Sequence, residues 1–218
     1  MINRNSPLLK ILFSVGVMLV AMLATLVLTV LISILAGHGD LSSLTITGNT
    51  SDSDLFLMKI IQTISSIGLF IAPAFFLAWS FSTKTMNYLY LDVNPGRRMS
   101  MIAMAMIILA IPLINATGEI NSWMKFPSWL SGVETWMKTR EDAGIILTEA
   151  FLKATTIQTL ILNLFVIAII PAFAEELIFR GVFQRLFTEW VKNYNLGILI
   201  TAFIFSAFHM QFYGFIPR

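Results

Sequence analysis

Cysteine is missing from the 218-residue chain. Its absence excludes disulfides, a thiol nucleophile and a Cys-ligated zinc site, and leaves the redox compartment undetermined. Charge is scarce as well: Asp, Glu, Lys and Arg make up 12% of the residues, and histidine occurs only as His38 and His209. A net charge of +2 without any Lys/Arg run gives no footing for nucleic acid. No internal repeat is detectable. Apolar residues, in contrast, reach 57%, with a mean hydropathy of +0.81, above the roughly 45–50% of soluble domains. This composition is that of an integral membrane protein. The fold class it implies is all-α, a polytopic transmembrane helix bundle in a single domain, because a bilayer satisfies backbone polar groups only in helices or closed barrels.

About 20 apolar residues span the hydrocarbon, and five stretches qualify as spans: 11–36, 60–81, 100–117, 157–187 and 196–215. Arg4 and Lys10 ahead of the first imitate a signal peptide, but its apolar run far exceeds the roughly 7–15 residues of an h-region, so it reads as an uncleaved anchor. The Ser51, Asp52, Ser53, Asp54 cluster caps the second span and Pro73 bends it. Pro112 lies near the end of the third span and Pro171 interrupts the fourth. Lys and Arg collect at the start (Arg4, Lys10), in the second loop (Lys84, Arg97, Arg98) and in the fourth connection (Arg185, Lys192). The first loop instead carries Asp40, Asp52 and Asp54. The positive-inside rule then places the N-terminus in the cytoplasm, the membrane being a cytoplasmic membrane of bacterial type. In the third loop Trp129, Val133, Trp136 and Met137 share one helical face, which suits an amphipathic helix on the outer interface. An ordinary aromatic belt is the plainer account of the same residues.

Chemistry concentrates in the last two spans, where Glu175, Glu176, Arg180 and His209 lie within oily sequence. A charged side chain costs roughly 2.5–3.5 kcal/mol at the centre of a membrane helix, so a cluster marks a paired, functional interior. Adjacent residues on a helix point about 100° apart, so the two carboxylates serve different purposes. Glu176 and Arg180 stand at i and i+4 with the acid N-terminal, the arrangement in which they pair. Glu175 is then aimed toward a neighbouring helix in a low-dielectric interior, a setting suited to a general base. Glu175 precedes Lys192 by as many residues as His209 follows it. An antiparallel hairpin centred on Lys192, with Trp190 and Tyr194 at the interface, therefore sets both at one depth, roughly 18 Å past an interface near Phe187 and Gly197. Phe205 shares the helical face of His209 and walls the site or simply packs. A carboxylate and an imidazole meeting there can hold a divalent metal such as zinc, with Glu175 and His209 as ligands, or can polarise a water directly. The purely structural alternative is an interfacial ion-pair network beside a hydrogen-bonded interior histidine.

Glu175-Glu176-x-x-x-Arg180 and Phe205-x-x-x-His209, in this order on consecutive membrane helices, resemble the first two motifs of the CPBP intramembrane proteases. That family includes CAAX prenyl endopeptidases and Abi-type bacteriocin-processing proteins. The resemblance covers about 157–215, which divides the chain into variable helices and loops (1–154) and a partial CPBP-like core (155–218). It implies an endopeptidase in which Glu175 and His209 activate the hydrolytic water and Glu176 with Arg180 orders the site. The substrate would be a peptide or membrane protein met beside membrane lipid, and the mechanism of glutamate or metallo type. The family pattern continues with a further helix bearing a second His followed by Asn or Asp, whereas the sequence stops at Arg218 and only His38 remains. On this expectation the chain is a truncated version of a longer protein, lacks an oxyanion-stabilising or second-ligand group, and cleaves poorly until such a helix is supplied.

Other intramembrane chemistries fit less well. Gly37-His38-Gly39-Asp40 spells the Gly-x-Gly-Asp of presenilin-like aspartyl proteases but falls in a polar loop. No His-Glu-x-x-His zinc motif or rhomboid-type Gly-x-Ser-Gly occurs, and Ser206 reads as packing. A non-catalytic binding or immunity protein, or a small transporter using the buried ion pair, stands as the alternative.

Overall fold

The computed structural model describes residues 6–38, 51–123, 126–153, 156–210 and 215–217. Helix is the regular structure throughout the described residues. α1 is Pro7–Leu35, α2 Asp52–Phe81, α3 the short Thr85–Tyr88 and α4 Gly96–Trp123. α5 is Ser131–Leu152, α6 Ile157–Val191 and α7 Tyr194–Phe208. Four of them, α1, α2, α4 and α6, are long and apolar enough to cross a membrane.

Local chemistry sets the helix starts. The Ser6 hydroxyl accepts from the Leu9 amide ahead of Pro7, and the Ser51 hydroxyl accepts from the Asp54 amide. Asp52 and Asp54 then sit in the first turn of α2, where a carboxylate complements the positive end of the helix dipole. The expected bends take a particular form. α2 widens into a π-helical segment at Ile67–Ile71 just before Pro73, and α6 does so at Leu164–Ile169 just before Pro171. Proline lacks the N–H that the regular ladder needs, and a π turn shifts that ladder. A third π segment, Glu176–Phe183, contains no proline.

The core forms where α2 meets α6. Ala74, Leu77 and Ala78 are buried with Leu177, Ile178, Val182 and Leu186, and Ile11, Tyr88 and Leu89 close one end. α1 joins through small hydroxyl residues: Thr25, Thr29 and Ser33 are buried at four-residue spacing. Lipid supplies no hydrophobic force between helices, so close backbone approach of this kind is what holds them together. Lys10 of α1 meets Glu189 of α6 at 3.0 Å, which brings the start of α1 to the end of α6. Lys192 in the left-handed region (φ 54°) reverses the chain, and Asn193 caps α7 by accepting from the Leu196 amide. α6 and α7 thereby form an antiparallel hairpin, with Gly197 lying so close to Thr188 that a Cβ would meet the Thr188 backbone at 2.9 Å.

Several sequence-derived boundaries move. α4 extends four residues earlier and six later than 100–117, with Pro112 inside it. α7 ends at Phe208 rather than near 215, with His209 as its C-cap and Met210 in the left-handed region. At 15 residues it is about 22 Å long, short of a full crossing. α6, with 35 residues, is about 52 Å long and exceeds the hydrocarbon. α4 stands apart from the bundle, with none of its apolar window buried. Near its end the buried Asn121 side-chain oxygen accepts from the Ile216 amide at 3.0 Å. Trp129 lies in a 3₁₀ turn ahead of α5, whose Val133 and Trp136 are exposed and whose Met137 is half-buried. Asp40 lies outside the described residues.

Candidate active site

Each member of the sequence-derived cluster can be placed. Glu175 closes the α-helical stretch after Pro171, and Glu176 opens the π segment that carries Arg180. One Arg180 guanidinium nitrogen donates to Glu176 Oε2 at 2.8 Å. This pair is open to its surroundings, with side chains 71% and 52% exposed for Arg180 and Glu176. Glu175 points to the other helix of the hairpin. Its Oε1 stands 3.8 Å from His209 Nε2, each side chain about one quarter exposed. The structure thus brings Glu175 and His209 together and keeps Glu176 with Arg180, as the spacing predicts.

His209 is held by its own helix end. Its Nδ1 lies 2.9 Å from the Phe205 carbonyl oxygen. A carbonyl oxygen only accepts, so Nδ1 carries the hydrogen and Nε2 is the atom presented to Glu175. The Phe205 ring meets the imidazole edge-on at 4.7 Å and the Phe179 ring at 5.1 Å. Phe70 and Phe208 extend this aromatic wall.

Two cavities meet at the ion pair. The smaller, about 130 Å³, is bordered by Glu175, Glu176, Phe179, Arg180, Thr201 and Phe205, among others. The larger, about 490 Å³, follows α6 from Phe173 to Thr188 beneath the Leu89–Leu91 turn and Tyr194. Glu176, Arg180 and Gln184 line both. Sequence reasoning gave no role to Gln184 or Thr201. Gln184 carried a legible signal, since it continues the Glu176, Arg180 face by four residues. Thr201 carried none, being one more small polar residue in a membrane helix.

Residues 157–217 match the family described as Rce1-like, type II CAAX prenyl endopeptidase. This segment is similar to that family. The match spans α6 and α7 and contains all four site residues, in keeping with the CPBP resemblance. No curated protein and no solved structure matches the chain.

Neither remaining candidate, His38 or Ser206, is a member of the Glu175–His209 pair. His38 pairs with Asp54 at 3.4 Å where α1 gives way to α2, the end of the bundle opposite the Lys192 reversal. Ser206 is buried in α7. No three His, Asp or Glu side chains converge among the described residues. Glu175 and His209 offer two donors, one fewer than the three protein ligands of a catalytic zinc site, so the described residues do not by themselves fit that ion.

Proposed function

We propose that the chain is an intramembrane endopeptidase of CAAX-protease type in which Glu175 and His209 activate the attacking water. The observation that carries this reading is the 3.8 Å separation of Glu175 Oε1 and His209 Nε2. It is too long for a direct hydrogen bond and suits one water bridging both atoms. Such a water gives one proton to the Glu175 carboxylate while its second hydrogen is held by His209 Nε2. The resulting hydroxide attacks the scissile carbonyl carbon. Collapse of the tetrahedral species breaks the C–N bond, and Glu175 returns its proton to the departing amine. The aromatic wall of Phe179 and Phe205 lowers the local dielectric, which strengthens these interactions. The Glu176–Arg180 pair braces the π segment that begins immediately after the base.

The family description supports a membrane-associated peptide as substrate, and an S-farnesylated CAAX peptide is the natural first probe. The test is single-turnover cleavage of that peptide by excess protein in micelles. Whatever product wild type releases, Glu175→Gln should release less by roughly a hundredfold or more, as for a general base, while still binding peptide. Equal cleavage by both proteins removes Glu175 from the chemistry. A Glu175→Gln variant with its cellular phenotype intact would favour a binding or immunity role.

A further inference from the structure

The larger cavity borders the smaller one along three side chains on a single stripe of α6, Glu176, Arg180 and Gln184. Two of the three are engaged with each other at 2.8 Å. The other charges on the larger cavity are engaged as well: Glu189 by Lys10 at 3.0 Å, and Arg185 by the Tyr88 carbonyl at 2.9 Å. The neutral hydrogen-bonding groups along the groove are Gln184, Thr188, Tyr90 and Tyr194. The side-chain amide of Gln184 is half-buried and has no hydrogen-bond partner among the described residues.

The far wall of the groove is built to stay in place. Arg185 lies over the Tyr88 ring at 4.4 Å while donating to its carbonyl, which ties the turn after α3 to α6. Gly181 lets that turn sit close, since a Cβ there would lie 3.0 Å from the Leu89 side chain. Tyr90, an L-residue in the left-handed region (φ 58°), is held exposed at the rim. Non-glycine residues keep such a backbone only where the surroundings enforce it.

A primary amide both donates and accepts, so it can pair at once with the C=O and the N–H of a main-chain peptide unit. A cavity of about 490 Å³ lies within the roughly 300–1,000 Å³ of sites for drug-sized ligands, the bulk of a short peptide. Resting on the peptidase reading above, we propose that this groove is the substrate's peptide subsite. An extended chain enters beneath the Leu89–Leu91 turn, its main-chain amide is bound by Gln184, and it passes the Glu176–Arg180 pair to reach Glu175.

The test measures binding of a fluorescent S-farnesylated CAAX peptide to the full chain in the Glu175→Gln background, so that it does not depend on turnover. Adding Gln184→Leu should weaken binding roughly two- to tenfold, the range for one lost hydrogen bond. A peptide series with single amide-to-ester replacements should show one position that costs affinity with Gln184 and costs nothing with Gln184→Leu. A photo-crosslinker in place of Tyr194 should capture the peptide, and one in place of Trp79, exposed on α2, should not. Unchanged affinity in Gln184→Leu together with an identical ester profile overturns the proposal, as does equal capture from both positions. If the peptide binds with this Gln184 dependence but wild type never cleaves it, the subsite stands and the peptidase reading fails. If wild type cleaves and Gln184→Leu binds and cleaves identically, the reverse holds.

Discussion

The Glu176–Arg180 pair lies outside the packed core, with both side chains more than half exposed. Its proposed value is positional. Arg180→Ala is expected to leave the thermal midpoint nearly unchanged and to slow single-turnover cleavage roughly 10- to 100-fold, the effect of a displaced reacting group. A parallel fall of midpoint and rate would reduce the pair to a structural brace. Tyr88 makes a different prediction. Burial pushes its phenol above the ordinary tyrosine range despite the opposing pull of Arg185, and its hydroxyl is buried without a hydrogen-bond partner. The folded protein therefore binds this proton more tightly than the unfolded chain does. The stabilisation is complete below the ordinary pKa of about 10 and turns into a loss as pH rises beyond it. Tyr88→Phe is expected to be neutral or stabilising at neutral pH and to flatten the decline of the unfolding midpoint above about pH 10. A Phe variant that melts lower at neutral pH would show that the hydroxyl is satisfied.

The α6–α7 hairpin is the element that creates the site, since one of its helices supplies Glu175 and the other His209. Gly197 permits it, because any larger side chain would run into the Thr188 backbone. Gly197→Leu is expected to cost about 1–3 kcal/mol, as overpacking does, and to abolish peptide cleavage by spreading the two helices. Denaturant unfolding of the detergent-solubilised variant checks the first part and the cleavage assay the second. How far these elements were legible depends on the signal each one left. Long charge-free runs made α1, α2, α4 and α6 legible, since a run of about 20 apolar residues spans a bilayer. The left-handed Lys192 and the Asn193 cap agree with the predicted turn. The end of α7 was not legible: the apolar run continues past His209, whereas the helix ends at Phe208, with the imidazole on the Phe205 carbonyl and Met210 at positive φ. The three π segments left no trace in hydrophobic periodicity, although two of them precede Pro73 and Pro171.

Across the whole molecule, Lys10, Arg185 and Lys192 gather at one end of the bundle and His38 and Asp54 at the other. We propose, on the positive-inside rule, that the first end faces the cytoplasm. Because the chain has no cysteine, single-cysteine reporters give an unambiguous check. In intact cells an impermeant maleimide should label Asp52→Cys, and should label Arg97→Cys only after permeabilisation. The opposite pattern would invert the protein and place the peptide groove on the outer side.

Composition and run length alone determined that this is a helical membrane protein, and the i, i+4 spacing alone determined which acid pairs with Arg180, because both follow from local rules of solvent and helix geometry. The meeting of Glu175 with His209 was foreseeable as equal depth on a hairpin, but its distance was not. That depended on the close approach of Gly197 to Thr188 and on the way the end of α7 turns the imidazole. The far wall of the larger cavity lay beyond the sequence entirely. It exists because Gly181 and Arg185 draw a turn from more than ninety residues earlier, Tyr88 being 97 positions from Arg185, onto the face of α6, and only packing in three dimensions brings those residues together.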